Sequence, residues 1–186
     1  SSRRRHTRLL TQSRGLGDVY KRQQRMAIEA DQTWAENSDS AGLTGMKGAR
    51  ATALISYRSY HTFLTSQQSD QDKIWPDRPL SYMQHQGQKL VDRFNAFSYW
   101  TLSEAMDSHN VGRGRGGAEK ALSAIRASSL ILALEGDNLF PLSEQEFLND
   151  NISKSELEII ESSYGHDGFL IETEKISKKI NDFLNR

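Results

Sequence analysis

The feature that most constrains the fold is the apolar run within "SSLILALEGD", residues 128–137. A short, continuous apolar stretch that ends at a glycine and an aspartate is typical of a strand buried on both faces, as in a parallel sheet. A second strand is predicted in "SELEIIES", residues 155–162, which is short and partly alternating. Parallel strands need a crossover connection between them, so an α/β arrangement is expected for this part of the chain.

The crossover and the end of the chain both show helical patterns. "PLSEQEFLND", residues 141–150, predicts a helix with Ser143 as N-cap and Glu146 completing a capping box. A last amphipathic helix is predicted from apolar residues at helical spacing, which are Ile171, Ile176, Ile180 and Leu184. The C-terminal third is therefore predicted to be strand–helix–strand–helix, in residues 127–186.

Residues 24–126 form a different region, in which helical segments alternate with polar loops. "YMQHQGQKLVDRFNAFSYWTLSEAMDSH" predicts two helices that separate near Asn95. The following loop, "NVGRGRGG", contains G-x-G-x-x-G from Gly112 to Gly117. A dinucleotide site would need a strand directly before this motif, and the preceding residues read as helix, so a flexible loop is favoured.

The first 23 residues, "SSRRRHTRLLTQSRGLGDVYKRQ", have no apolar period and hold seven basic residues against one acid. A basic arm for nucleic acid and a targeting peptide are two possible interpretations, but no apolar core or cleavage pattern follows. The two outer blocks instead resemble translated sequencing-adapter DNA. Residues 1–23 are therefore set aside as an artefactual leader that is expected to be irregular.

Composition then excludes several classes of function. Without the leader, 17 basic and 23 acidic residues remain, a net charge of −6 that argues against a nucleic-acid partner. The chain has no cysteine, which excludes disulfides and thiolate chemistry. No apolar run approaches the roughly 20 residues of a membrane span. The scattered His61, His85 and His109 show no metal-ligand spacing, so no metal is expected.

Two residues with catalytic chemistry follow the predicted strands. Asp137 comes directly after the first strand and His166 shortly after the second, in "YGHDGF". Carboxyl ends of neighbouring parallel strands meet at one edge of the sheet, where α/β proteins bind ligands. An acid followed by a histidine is the order of the last two members of an α/β-hydrolase triad. The alternative is an ordinary turn aspartate with an exposed histidine, since polar residues are common in such loops. No G-x-S-x-G motif for the nucleophile occurs in the sequence.

Several blocks in one order, "QRMAIEADQTW", "GARATALISYRS", "QGQKLVDRFNAFSYWTLSEAMDSHNVGRGRGG", "GDNLFPLSEQ" and "YGHDGFLIE", resemble the homoserine O-acetyltransferase family. The resemblance implies a partial α/β-hydrolase fold, with a helical lid in residues 24–126 followed by the last strand–helix–strand–helix of the sheet. It implies transfer of an acetyl group from acetyl-CoA to the hydroxyl of L-homoserine, in methionine biosynthesis, by a Ser-His-Asp mechanism. The chain is then expected to be a C-terminal fragment that lacks the serine and is inactive alone.

The resemblance also assigns roles to residues. Asp137 and His166 match the catalytic aspartate and histidine. Asp167 matches the acid that recognises the amino group of the substrate, and Arg50 matches the arginine that binds its carboxylate. Gly136 and Asn95 depart from the family pattern, and the glycine is expected to loosen the Asp137 turn.

The resemblance further implies a cytoplasmic enzyme that dimerises through its lid helices. Its substrates would be L-homoserine and acetyl-CoA, with no permanently bound cofactor and no nucleic-acid or membrane partner. A succinyl donor or a serine acceptor stays open within the same family. A non-catalytic helical binding module is the alternative from another class.

Overall fold

The computed structural model describes residues 16–36, 38–68, 74 and 77–185. They divide into two compact units. The helical unit comprises residues 16–56 and 60–108, and the C-terminal unit comprises residues 57–59 and 109–185. This division differs from the predicted boundary between residues 126 and 127, because a short helix before that boundary packs against the crossover helix after it.

Among its described residues, the helical unit has five α-helices and one short 3-10 helix at Trp34–Glu36. The α-helices are α1 Leu16–Glu29, α2 Leu43–Tyr57, α3 Tyr60–Ser66, α4 Asp77–Val91 and α5 Ala96–Ser108. The predicted break near Asn95 is confirmed. The Asn95 side chain accepts a hydrogen bond from the backbone N–H of Ser98 at 2.7 Å, so it caps the start of α5.

Helix α1 begins inside the segment that was expected to be irregular, and that expectation is wrong for residues 16–23. Lys21 forms an ion pair with Asp107 at 2.6 Å, and Arg25, one turn further along, donates a hydrogen bond to Ser103 at 2.8 Å. The first helix is therefore bound to α5 by Lys21, which belongs to the supposed leader, and by Arg25, which follows it. Residues 1–15 lie outside the described residues, and the adapter origin of the leader stays a prediction.

The core of the helical unit forms where its helices cross closely. Its buried members are Ile28, Met46, Ala49, Leu90 and Ala96. The crossing of α1 and α2 depends on Gly45, because a Cβ there would lie 2.3 Å from the carbonyl oxygen of Ala27. A glycine is therefore needed for the backbones to approach at this point.

Asp31 secures the start of α2. Its carboxylate accepts hydrogen bonds from the backbone N–H of Gly45 at 2.8 Å and from the N–H and hydroxyl of Thr33 at 3.0 and 2.8 Å. These bonds, that from Gly45 first, lower the pKa of Asp31 below its ordinary value because they favour the ionised form.

The C-terminal unit has the predicted strand–helix–strand–helix order. Its elements are α6 Ala118–Ser123, β1 Ser129–Leu134, α7 Leu142–Asn151, β2 Ser155–Ile160, a 3-10 helix at Gly165–Asp167, α8 Gly168–Ile171 and α9 Thr173–Leu184. β1 and β2 pair in parallel, in a register that runs from Ser129 opposite Ser155 to Leu134 opposite Ile160. Helices α7 and α9 each pack against both strands. The two strands therefore end side by side.

One local prediction is wrong. Helix α7 begins at Leu142 with Pro141 as its N-cap and without a side-chain cap, so Ser143 lies inside the first turn and the capping box does not form. Proline favours this earlier start because its backbone φ is fixed, and its carbonyl oxygen accepts the N–H of Glu144 at 2.9 Å. The dinucleotide alternative, which the sequence did not favour, is excluded because helix α5 and a turn precede Gly112 where a strand would be required.

Within the described residues, no helix combines the length and the apolar character needed to cross a membrane.

Candidate functional site

The ends of β1 and β2 bring Asp137 and His166 into direct contact. The Nδ1 atom of His166 lies 2.8 Å from Oδ2 of Asp137, a hydrogen-bonding distance between side chains 29 positions apart in the sequence. Both side chains are mostly buried, with 6% of Asp137 and 19% of His166 exposed. The two side chains that follow the strands therefore lie in contact, as expected. The catalytic role of the pair stays a prediction.

The turn after β1 aims the carboxylate at the histidine. Gly136 has φ of +77°, a left-handed conformation that favours glycine. Oδ1 of Asp137 accepts the backbone N–H groups of Leu139 at 2.8 Å and Phe140 at 2.9 Å, which leaves Oδ2 for the imidazole. Glycine at position 136 thus suits the backbone of this turn, and no loosening of the turn is seen.

Burial and hydrogen bonding act in opposite directions on Asp137. Burial is the largest single influence and raises the pKa of its carboxyl group, because it disfavours the charged form. The hydrogen bond from His166, those from the Phe140 and Leu139 backbone and the attraction to His166 together outweigh it. The pKa of Asp137 therefore lies below its ordinary value, and the carboxyl group is ionised at neutral pH.

Two glycines give the loop after β2 its shape around His166. Gly165 has φ of +66°, and a Cβ on it would lie 3.1 Å from the backbone nitrogen of Ser59. A Cβ on Gly168 would lie 2.5 Å from the hydroxyl oxygen of Ser162 and 3.1 Å from its Cβ. The 3-10 helix that carries His166 therefore lies close to Ser59 on one side and to Ser162 on another.

Three aromatic rings surround the imidazole of His166. The ring centroids of Phe140 and Phe169 each lie 5.2 Å from that of His166, and the centroid of Tyr57 lies 5.6 Å away. Sequence reasoning missed all three residues. A signal was present for two of them, because Phe140 and Phe169 stand three positions after Asp137 and His166. The rings limit the orientations that the imidazole can adopt.

Asp167, the next residue, contacts a partner that sequence reasoning also missed. Nε of Arg58 lies 3.0 Å from Oδ2 of Asp167, and the two side chains are 25% and 18% exposed. Arg58 follows α2 in the chain but belongs to the C-terminal unit. No local pattern could have found this pair, since 109 positions separate the two residues.

Arg50, the predicted carboxylate-binding residue, lies in α2 within the helical unit and is partly buried. It is not among the residues that the C-terminal unit brings together around His166. Its assignment stays a prediction.

A cleft of about 420 Å³ adjoins the pair. Its lining is mostly apolar and includes Phe140, Phe169 and Ile176 beside Asp137 and His166. A buried carboxylate that holds a histidine through Nδ1 leaves Nε2 as the nitrogen that can take or give a proton. The described residues hold no cluster of three or more histidine, aspartate or glutamate side chains arranged for a metal ion.

No protein-family model matches the chain. Curated proteins do match it over most of its length. It is 44% identical over 160 residues to homoserine O-acetyltransferase of Cyclobacterium marinum, covering 86% of this chain and 46% of that protein. It is 40% identical over 171 residues to homoserine O-acetyltransferase of Chlorobium chlorochromatii, covering 88% and 47%. The chain thus spans about half the length of the curated relatives it matches.

Solved structures share the fold. Homoserine O-acetyltransferase from Bacillus anthracis matches with a TM-score of 0.84 at 20% identity, over 92% of this chain and 50% of that one. The enzyme of the same name from Staphylococcus aureus matches with a TM-score of 0.72 at 25% identity, over 95% and 48%. MGS-M2, an α/β hydrolase from a deep-sea metagenome library, matches with a TM-score of 0.57 at 15% identity, over 93% and 50%. The predicted family resemblance and partial α/β-hydrolase fold are confirmed.

Proposed function

The chain resembles the homoserine O-acetyltransferases over most of its length, and we propose that it supplies the histidine–aspartate pair of such an enzyme. The reaction would move an acetyl group from acetyl-CoA to the hydroxyl of L-homoserine. The observation that carries the proposal is the 2.8 Å contact between Nδ1 of His166 and Oδ2 of Asp137 at two adjacent strand ends. The similarity to curated acetyltransferases supports the choice of reaction.

The geometry suits proton transfer at Nε2 of His166. With Asp137 ionised, the imidazole donates its Nδ1 proton to Oδ2, which fixes the tautomer that has a basic Nε2. Tyr57, Phe140 and Phe169 hold the ring in place. The nucleophile in this proposal is a serine outside the present sequence, which takes the acetyl group from acetyl-CoA as an ester and releases the thiol of coenzyme A.

The second half of the reaction then uses the same nitrogen. Nε2 of His166 takes the proton of the homoserine hydroxyl as that oxygen bonds to the acetyl carbon. The ester bond to the serine breaks, and His166 returns the proton to the serine oxygen. Asp137 stabilises the imidazolium that exists between these two transfers.

Two side chains are proposed to bind the acceptor. Asp167 would bind the ammonium group, and its position directly after His166 in the 3-10 helix supports that role. Arg50 would bind the carboxylate, for which the planar guanidinium is suited. A homodimer through the lid helices and a cytoplasmic location complete the proposal for the whole enzyme.

The alternatives differ in measurable ways. A succinyl donor or a serine acceptor would appear as a larger kcat/KM for that substrate than for acetyl-CoA or homoserine. A non-catalytic helical binding module would show no acyl transfer at all.

The direct test replaces His166 in the full-length enzyme that carries this chain. His166→Ala should lower kcat for acetyl transfer to homoserine by about 10³-fold or more, because the general base is lost. His109→Ala is the matched control, since His109 is exposed in the same unit, and it should leave the rate unchanged. The 186-residue chain alone should show no acetyl transfer from acetyl-CoA to homoserine. Equal rates in the wild type and His166→Ala would disprove the catalytic role.

A further inference from the structure

Arg58 lies in the short segment 57–59 of the C-terminal unit and takes no part in the proton transfers proposed for His166. Its Nε donates a hydrogen bond to Oδ2 of Asp167 at 3.0 Å. Three quarters or more of each side chain is shielded from solvent, so the pair is less screened than a surface ion pair. The acid proposed to bind the acceptor ammonium is therefore held by a positive group of the protein.

The backbone of Arg58 is anchored to the loop that carries Asp167. The hydroxyl of Ser59 donates a hydrogen bond to the carbonyl oxygen of Ser163 at 2.5 Å. Gly165 packs against the backbone of residues 57–59, where a Cβ would approach the carbonyl oxygen of Tyr57 to 3.3 Å and the carbonyl carbon of Arg58 to 3.4 Å. Arg58 and Asp167 thus start from two backbone segments that are fixed to one another.

The hydrogen bond divides the two oxygens of Asp167. Oδ2 is occupied by Arg58, whereas Oδ1 makes no hydrogen bond to the rest of the described chain. The Nε–H bond to one oxygen restricts rotation of the carboxylate about its Cβ–Cγ bond, because the planar guanidinium has a fixed donor direction. The bond therefore favours one orientation of Oδ1 before any ligand binds.

We propose that Arg58 is a positioning residue, which orients Asp167 so that Oδ1 receives the ammonium group of the amino-acid acceptor. The inference rests on the proposed function, since it concerns the acceptor site of the same reaction. Arg58 acts through Asp167, and it makes recognition of the ammonium depend on a residue 109 positions away. A merely structural ion pair would instead affect every substrate alike.

The test compares two acceptors that differ in the ammonium group. L-Homoserine carries it, and 4-hydroxybutanoate is the same hydroxy acid without it. In the full-length enzyme with acetyl-CoA as donor, Arg58→Met should lower kcat/KM for homoserine about tenfold more than for 4-hydroxybutanoate, mostly through KM. Arg58→Lys should recover part of this difference, because it restores a positive donor without the planar fork.

Two further variants show whether the effect passes through Asp167. Asp167→Asn should also lower the preference for homoserine, and Arg58→Met added to Asp167→Asn should lower it no further. Arg126→Met, at an exposed arginine of the same unit, should leave the preference unchanged.

The outcomes separate this inference from the proposed function. If the wild type does not acetylate homoserine, the proposed function fails and this inference fails with it. If the wild type is active but Arg58→Met reduces kcat/KM for both acceptors by the same factor, Arg58 is only a structural residue. The same conclusion follows if the losses from Arg58→Met and Asp167→Asn simply add.

Discussion

The helical unit and the C-terminal unit differ in where their closest contacts and their polar groups lie. The helical unit has a core of buried side chains, and two of its helices approach closely at Gly45. The C-terminal unit has two paired strands, and polar groups are concentrated in the loops that follow them. Side-chain packing dominates the first arrangement; the second also buries Ile131, Ala133 and Ile160, and hydrogen bonds fix the loops at its strand ends. Substitutions in the two units should therefore damage different properties of the protein.

The largest expected effect is in the C-terminal unit. Asp137→Asn keeps an oxygen that can accept the N–H groups of Leu139 and Phe140, so the turn should survive. Its amide nitrogen would then donate to Nδ1 of His166 and place the imidazole proton on Nε2. In the full-length enzyme, kcat for acetyl transfer should fall by about 10³- to 10⁴-fold, as in other triads with this change.

Thermal unfolding of the same variant separates chemistry from folding. A melting temperature close to that of the wild type, with the activity lost, is the expected combination. If the activity and the fold were lost together, the distinction between the two units would not hold.

The second prediction concerns the stability of the helical unit. Gly45→Ala should lower the free energy of unfolding by about 1–3 kcal/mol, because the added methyl group meets the Ala27 carbonyl and the two helices must separate. Gly48→Ala is the matched control on the same helix, since the nearest atom to its Cβ is the Ala27 Cβ at 3.9 Å. That change should stabilise the helix by about 0.5–1 kcal/mol.

Chemical denaturation of the two alanine variants measures the difference. A destabilised Gly48→Ala or an unaffected Gly45→Ala would contradict the close crossing of α1 and α2.

The smallest expected effect is a dependence of stability on acid pH that both units share. Asp31 and Asp137 both have a pKa below the ordinary value of 3.8. A carboxyl group whose pKa is depressed by folding contributes stability above its unfolded pKa, and that contribution is lost as the pH falls through the folded pKa. Stability should therefore decrease as the pH falls below about 4.

The variants Asp31→Asn and Asp137→Asn should each weaken this acid dependence. The change for Asp137 is expected to be modest, because burial offsets much of the hydrogen bonding that lowers its pKa. Urea denaturation between pH 6 and pH 3 would reveal it. An acid dependence that stays the same in both variants would show that other carboxyl groups are responsible.

The local features of the C-terminal unit could be predicted from the sequence. The apolar run of β1 and the polar residues just after it are both local signals, so the strand and the place of Asp137 followed from them. The contact with His166 followed from the parallel pairing of two adjacent strands. These inferences succeeded because the distance between strand ends is set by the sheet and not by individual side chains.

Other features depend on contacts that no local pattern contains. Arg58 reaches Asp167 across 109 positions, and its segment follows a helix of the other unit. The helical state of residues 16–23 depends on partners such as Asp107, more than 80 positions away along the chain. The capping box predicted at Ser143 failed for a local reason, because the neighbouring Pro141 determined where the helix starts. Propensity at one residue is easily overridden by such neighbours.

The two oxygens of Asp137 have separate tasks. Oδ1 accepts hydrogen bonds from the backbone after β1, and Oδ2 is hydrogen-bonded to the imidazole of His166. The effect of a substitution at Asp137 should therefore be judged for each oxygen separately. A neutral isostere can preserve the turn and still abolish the activity. In Asp137, Oδ1 therefore supports the fold of the turn and Oδ2 supports the chemistry of His166.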